Sequence, residues 1–450
     1  MVAVPLASLT PEELRLRKTE LTLTPGGKGS FGGADGKTEI RLYGQDADYL
    51  YVPRKYGLGN MELAGRPSVD ERSDGPTVEM SFHGSLRPSQ EKPVAEVLRT
   101  LESAPWTGSI LEAPCGSGKT TLALYVAAQL KRPALIIVHT EVLLAQWVER
   151  IKQFLQLPDN KIGRIQQDRC DYEGCPITVG MIHSIAEKDY PTETYSHFGF
   201  VVFDEVHRVG APVFSKAVPK FNARYVLGLS ATPERYDGME KVFLWHIGNI
   251  IRSDQTWEIK PKVYQIQWMS RVHPSAIKVY GKNEVSLGKL ATKLGQDARR
   301  NIWLAGEIAK AAKAGRKILV LSDRIEHLKR MRELLQAQTR NTTITSGFVI
   351  GGMKEDKRLQ STGCNVMFGT FGYVSEGFDV AELDTLYLTS PHVNIEQSVG
   401  RILRRHPSKK EPVVVDVVDS LPITRAFGGK RLAFYEQNGF EVTQVLLGGA

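Results

Sequence analysis

Between residues 113 and 120 the chain reads Ala113-Pro114-Cys115-Gly116-Ser117-Gly118-Lys119-Thr120, and few stretches so short restrict a fold so much. The apolar run Ser109-Ile110-Leu111 precedes it, and Leu122, Ala123, Val126, Ala127 and Leu130 follow at helical spacing. A strand, a tight turn of small residues and a helix, in that order, let backbone N–H groups turn inward around phosphate oxygens. The helix N-terminus adds a favourable dipole, Lys119 offers a cation to the β- and γ-phosphates, and the Thr120 hydroxyl can hold Mg2+. Pro114, Cys115, Gly116, Ser117 and Gly118 would line the cradle. Ala113 stands where the general pattern has Gly, and the alternative reading is a chance glycine-rich turn.

Two further clusters bear on phosphate chemistry. Asp204-Glu205-Val206-His207 follows the apolar run Phe200-Val201-Val202-Phe203, at the carboxyl edge where a parallel sheet gathers ligands. There Asp204 can hold Mg2+ through water while Glu205 positions and deprotonates an attacking water. Without the phosphate loop, an acidic strand-to-loop turn would be as good a reading. Near the other end, Gln397-Ser398-Val399-Gly400-Arg401-Ile402-Leu403-Arg404 spaces two arginines by one helical turn, so that both guanidinium groups can serve a transferring γ-phosphate. A solvated basic face continuing through Arg405, His406, Lys409 and Lys410 is the alternative.

The 450 residues exceed what one core usually holds. Apolar strands at 134–139, 200–204 and 225–230 alternate with helices, and the pattern restarts with strands at 317–322, 366–371, 385–390 and 412–418 and a helix at 325–336. Such alternation predicts α/β architecture: two tandem lobes, each a parallel sheet flanked by helices. The domains expected are 1–80, a small accessory domain of α+β or β-rich type; 81–252, the first lobe; and 253–450, the second, with 251–310 read as connector and lobe start. Gly27-Lys28-Gly29-Ser30-Phe31-Gly32 matches a dinucleotide fingerprint but lacks the strand and helix it needs, and reads as a loop.

With 42% hydrophobic and 24% charged residues the chain can build full cores, and no apolar run approaches the ~18 residues of a bilayer span. A membrane role is disfavoured, the start does not read as a secretory signal, and a cytoplasmic location is expected. The formal charge of +8 suits a polyanionic partner or simply a soluble surface. Cys170 and Cys175 have no companion pair, so they read as loop thiols rather than zinc ligands.

Taken in order, these motifs resemble superfamily 2 helicases over most of residues 86–420. Arg87-Pro88-Ser89-Gln90 looks like the segment in which Gln90 reads the base of ATP. Val138-His139-Thr140 through Leu144, Gln146 and Trp147 resembles motif Ia, and Thr178-Val179-Gly180-Met181 stands at motif Ib; both would touch the nucleic-acid backbone. Ser230-Ala231-Thr232-Pro233 is similar to motif III, followed by Arg235, Asp237 and Gly238 as in XPB-like members. Gly369-Thr370 with Glu376-Gly377-Phe378-Asp379 looks like motif V, which places Gly377 and Asp379 at the nucleotide, and motif VI makes Arg401 and Arg404 arginine fingers, with Gln397 beside them.

The Asp-Glu-Val-His form of motif II resembles that of XPB-like and phage UvsW-like helicases. The resemblance implies two RecA-like lobes binding ATP and Mg2+ at their interface, with Lys119, Asp204 and Glu205 catalytic. It implies a DNA helicase that remodels forks and junctions in a bacterial or phage-infected cell, alongside replication or recombination proteins. Arg54, Lys55 and Tyr56 could then bind DNA or form an ordinary exposed basic turn. The rivals are a duplex translocase, an RNA helicase and an ATP-switched DNA-binding scaffold. An iron–sulfur helicase is disfavoured because the four-cysteine arrangement is missing.

Overall fold

The computed structural model describes residues 1–24, 39–60, 63, 72–114, 116–211, 213–234, 237–253, 257, 259–278, 285–375 and 380–447. Of the residues singled out above, 27–32, Cys115, Arg235 and 376–379, with Gly377 and Asp379, lie outside them. The chain divides into two compact units, Met1–Gln255 and Thr256–Ala450. Among the described residues no helix is long and apolar enough to cross a membrane.

The sheet of the first unit runs Asn249–Arg252, Gly108–Glu112, Tyr225–Ser230, Phe200–Phe203, Ala134–Val138, Ile177–Met181, Ile162–Gln166 and Arg169–Asp171. Neighbours are parallel except the last pair, an antiparallel hairpin at the edge. Strand side chains alternate between faces, so each apolar run feeds two cores. Phe200, Val202, Ile136 and Val138 join Leu122 and Val126 of the helix Lys119–Leu130 and Leu144, Trp147, Ile151 and Leu155 of the helix Glu141–Leu155. Val201, Phe203, Leu135 and Ile137 join Phe243 on the other side. Strands covered on both faces have no solvent side, which is why they read as unbroken hydrophobic runs.

The second face is completed by the start of the chain. Val2–Pro5, Tyr49–Val52 and Gly44–Gln45 form a small antiparallel sheet, and the helix Pro11–Glu20 opens with a capping box between Thr10 and Glu13. Val2, Val4, Leu21, Leu50 and Val52 belong to the same apolar cluster as Phe203 and Phe243. The segment is α+β, and its core is continuous with that of the first sheet.

Arg54 and Tyr56 fit neither reading of the Arg54, Lys55 and Tyr56 segment, because both are buried. Arg54 is only 5% exposed and donates from Nη1 to the Arg224 carbonyl at 3.0 Å. Tyr56, 8% exposed, packs edge-on against Trp245 with ring centroids 5.2 Å apart. Lys55 donates to Asn249 and lies over the Trp106 ring. The helix Arg54–Gly59 turns these polar ends inward because it abuts Glu240–His246.

The second unit has an all-parallel sheet in the order Ser346–Val349, Val366–Thr370, Ile318–Ser322, Thr385–Leu388, Val413–Asp419, Lys262–Trp268 and Glu441–Leu447. Lys262–Trp268, which the sequence suggested as connector and lobe start, is an inner strand paired on both sides. Beneath it Asp416 accepts from Gln265, Arg431 and Tyr435, so the buried carboxylate is fully occupied by donors.

Candidate active site

The phosphate loop leaves the strand Gly108–Glu112 and is tied at once to a neighbour, the Ala113 N–H donating to the Ser230 carbonyl at 3.0 Å. Gly118 caps the helix Lys119–Leu130 with φ 85°, and a Cβ there would fall 2.3 Å from Gln90 Nε2. Only glycine meets both the left-handed backbone and that close approach. Gln90, 2% exposed, donates from Nε2 to the Ser117 carbonyl at 2.7 Å while its Oε1 accepts from the Arg87 N–H at 2.9 Å. The residue expected to read a base is thus a strut between the start of the helix Pro88–Ser103 and the loop. Lys119 donates from Nζ to the Ala113 carbonyl at 2.9 Å, folded back across the loop it serves.

Asp204 and Glu205 leave the strand Phe200–Phe203 two strands away. Asp204 Oδ2 accepts from Trp147 Nε1 at 2.8 Å and Oδ1 from the Glu205 N–H at 3.1 Å. Burial, then the adjacent Glu205 carboxylate, push Asp204 up to about 6, against the Trp147 N–H and the Lys119 ammonium. Glu205 adopts φ 50° and ψ 56°, a left-handed conformation that costs a non-glycine residue about 1–3 kcal/mol and gathers at functional sites. Its Oε2 lies 3.5 Å from His207 Nδ1, which is 3.0 Å from Ser230 Oγ; the Thr232 N–H donates to the same hydroxyl at 3.1 Å. His207 therefore joins the acidic box to the Ser-Ala-Thr segment.

The donor set suits a polyphosphate and a hard divalent cation. Ser117 Oγ and Glu205 Oε2 are both buried without a hydrogen-bond partner, and the loop around Gly116, at φ 82°, leaves open space where a side chain would stand. Thr120 sits in the first turn of the helix, beside Lys119.

Other expected residues take different places. Thr178-Val179-Gly180-Met181 is an inner strand with Thr178 and Val179 fully buried, so it offers no backbone-contacting surface. Leu144 and Trp147 are likewise core residues, because the apolar seam of the helix Glu141–Leu155 faces the sheet. His139, at the end of Ala134–Val138, is pushed down to about 4 by burial and by Arg208, His207 and His183; neither ring nitrogen is hydrogen-bonded. The sequence placed His139 and Trp147 in a segment expected to touch nucleic acid; their burial beside the acidic box was not foreseen, although the polar-tipped ring of Trp147 on a buried stripe could have signalled it.

In the second unit Gln397 and Arg401 belong to the short helix Glu396–Arg401, and Arg404 lies beyond its end. The expectation that one helical turn aligns the two arginines is corrected. Ile402 and Leu403 are buried at 0% and 9% exposure, and seating this apolar pair takes the chain out of the helix. The strand Val366–Thr370 ends near a cluster in which His392 stacks on Phe371 at 4.2 Å and pairs with Asp323 at 3.3 Å.

Residues 83–235 match the family model described as "Type III restriction enzyme, res subunit". A protein of Acanthamoeba polyphaga mimivirus, provisionally named an ATP-dependent RNA helicase, is 32% identical over 91% of this chain and 78% of its own length. A protein of African swine fever virus with a similar provisional name is 27% identical over 90% of this chain and 83% of its own. Among solved structures, Mss116p bound to single-stranded RNA and AMP-PNP aligns at 14% identity with TM-score 0.57, covering 82% of this chain and 75% of that one, a likeness of fold alone. The matched core, the two parallel α/β lobes and the mimivirus relative agree, and the chain belongs to the ATP-dependent helicases of superfamily 2.

Proposed function

We propose that this helicase is a nucleic-acid-stimulated ATPase motor that acts on DNA, remodelling branched substrates such as forks and junctions. The observation that carries the ATPase is the convergence at one sheet edge of the glycine turn with Lys119, the Asp204–Glu205 pair in a strained turn, and two buried oxygens that accept no hydrogen bond. Backbone N–H groups of residues 116–118, with Lys119, would hold the phosphates; Thr120 and Asp204 would hold Mg2+, which would supply positive charge at the phosphates. Glu205 orients water and takes its proton. Arg401 and Arg404 stabilise charge on the transferring phosphoryl group, the part guanidinium groups play in this chemistry.

The DNA preference rests on the Asp-Glu-Val-His box and the Arg235, Asp237, Gly238 extension, which resemble XPB-like and UvsW-like sequences. A second reading, an RNA helicase, is favoured by the names of the two viral relatives. Steady-state hydrolysis with no nucleic acid, single-stranded DNA, duplex, forked DNA and RNA separates them, with Glu205→Gln as control. Forked DNA is expected to give the greatest stimulation, and the control to lose about 100-fold or more in turnover while still binding nucleotide. Stimulation by RNA alone would move the protein to the second reading, and uniform low rates would sink the motor.

A further inference from the structure

The helix Glu141–Leu155 buries Leu144, Trp147, Ile151 and Leu155 along one stripe, at 3%, 1%, 0% and 3% exposure. Three of the four are aliphatic, and any large apolar residue would fill the fourth place. The stripe instead carries an indole, whose N–H reaches across 57 residues of sequence to Asp204 Oδ2 at 2.8 Å. A buried indole N–H needs an acceptor, but a backbone carbonyl would serve as well. Here the acceptor is the carboxylate proposed to hold the metal ion.

The bonding pattern limits what Asp204 can do. Indole nitrogen is a donor only, and so is the Glu205 backbone N–H at Oδ1. Both oxygens therefore act as acceptors, one toward each donor. The carboxylate torsion of an aspartate is broad and two-fold, so a free Asp204 could rotate. Two fixed donors on opposite oxygens lock its plane.

We infer that Trp147 is a positioning residue: its indole N–H holds the Asp204 carboxylate in one plane, and so sets the affinity of the nucleotide site for its divalent cation. The inference rests on the proposed ATPase reading. Partners of this kind, one bond removed from the metal, change affinity by about 10- to 100-fold when lost.

The test uses the full chain as wild type, Trp147→Phe and Ile151→Val. Phe keeps an aromatic ring in the same slot and removes the N–H; Ile151→Val disturbs the same stripe and leaves the N–H in place. Binding of a fluorescent ATP analogue is followed by anisotropy at increasing Mg2+ and again in EDTA, with a melting curve for each protein. The half-saturating Mg2+ concentration of Trp147→Phe is expected to rise about tenfold or more, a change of about 1.4 kcal/mol per tenfold, while its binding in EDTA and its melting curve stay close to those of Ile151→Val. An unchanged Mg2+ requirement in Trp147→Phe, with wild type binding normally, overturns the inference alone. Equal rises in both variants overturn it too, by assigning the effect to packing. Wild type without Mg2+-dependent nucleotide binding overturns the ATPase reading along with it.

Discussion

Arg300 and Asp419 meet in the core of the second unit as a bidentate pair, Nε 3.0 Å from Oδ1 and Nη2 3.1 Å from Oδ2, with side chains 0% and 1% exposed. Asp419 ends the strand Val413–Asp419 and Arg300 opens the helix Ala298–Lys313, so the pair fastens a helix to the sheet. Removing one partner strands a charge away from water. Asp419→Ala is expected to cost the second unit about 3–5 kcal/mol, and Arg300→Met with Asp419→Leu to restore most of it. Urea unfolding followed by a probe in the second unit measures both; a loss below about 1 kcal/mol for Asp419→Ala would show that water enters the pair.

His207 bridges Glu205 and Ser230, and Ser230 also receives the Thr232 N–H. Ser230→Ala keeps the shape of the strand end and breaks both bonds. Unstimulated hydrolysis is expected to change little, since Lys119, Asp204 and Glu205 keep their places. The stimulated rate is expected to fall about tenfold, in line with the loss of one or two hydrogen bonds. Equal loss in both rates would place His207 and Ser230 within the chemistry itself.

Three buried histidines are held neutral. Burial lowers His139 to about 4 and His246 and His327 to about 3. Each folded value lies below the unfolded one near 6.5, so the unfolded chain binds more protons between them and stability falls with falling pH. Nothing is lost above about pH 6.5; each site costs about 2 kcal/mol at pH 5, and the loss ends near the folded values. Melting curves at pH 7 and pH 5 check this, and His246→Phe should flatten the dependence of the first unit. An unaltered slope in that variant would show that His246 is protonated in the fold.

The alternation of apolar runs with helices, the glycine turn and the acidic box were all legible in the sequence, because each is a local pattern with a local cause. Less could be read where distance or packing decides. The bond between Trp147 and Asp204 joins residues no spacing rule connects. Arg404 leaves the helix because Ile402 and Leu403 are drawn into the core, a tertiary effect that overrides the one-turn spacing. Lys262–Trp268 alternates like a half-buried strand, yet is paired on both sides, with Tyr264 and Gln267 toward solvent. Arg54 looks like a surface charge until its carbonyl partner, Arg224, is seen 170 residues on.

Val2, Val4 and Leu50 pack into the same cluster as Phe221, Phe243 and Ile247. During synthesis the opening strands therefore leave the ribosome long before the surface they cover exists. At ordinary elongation rates the gap of roughly 200 residues lasts about 10–40 s. For that interval part of this apolar face lacks its native cover, and it stays so until residue 247 has emerged.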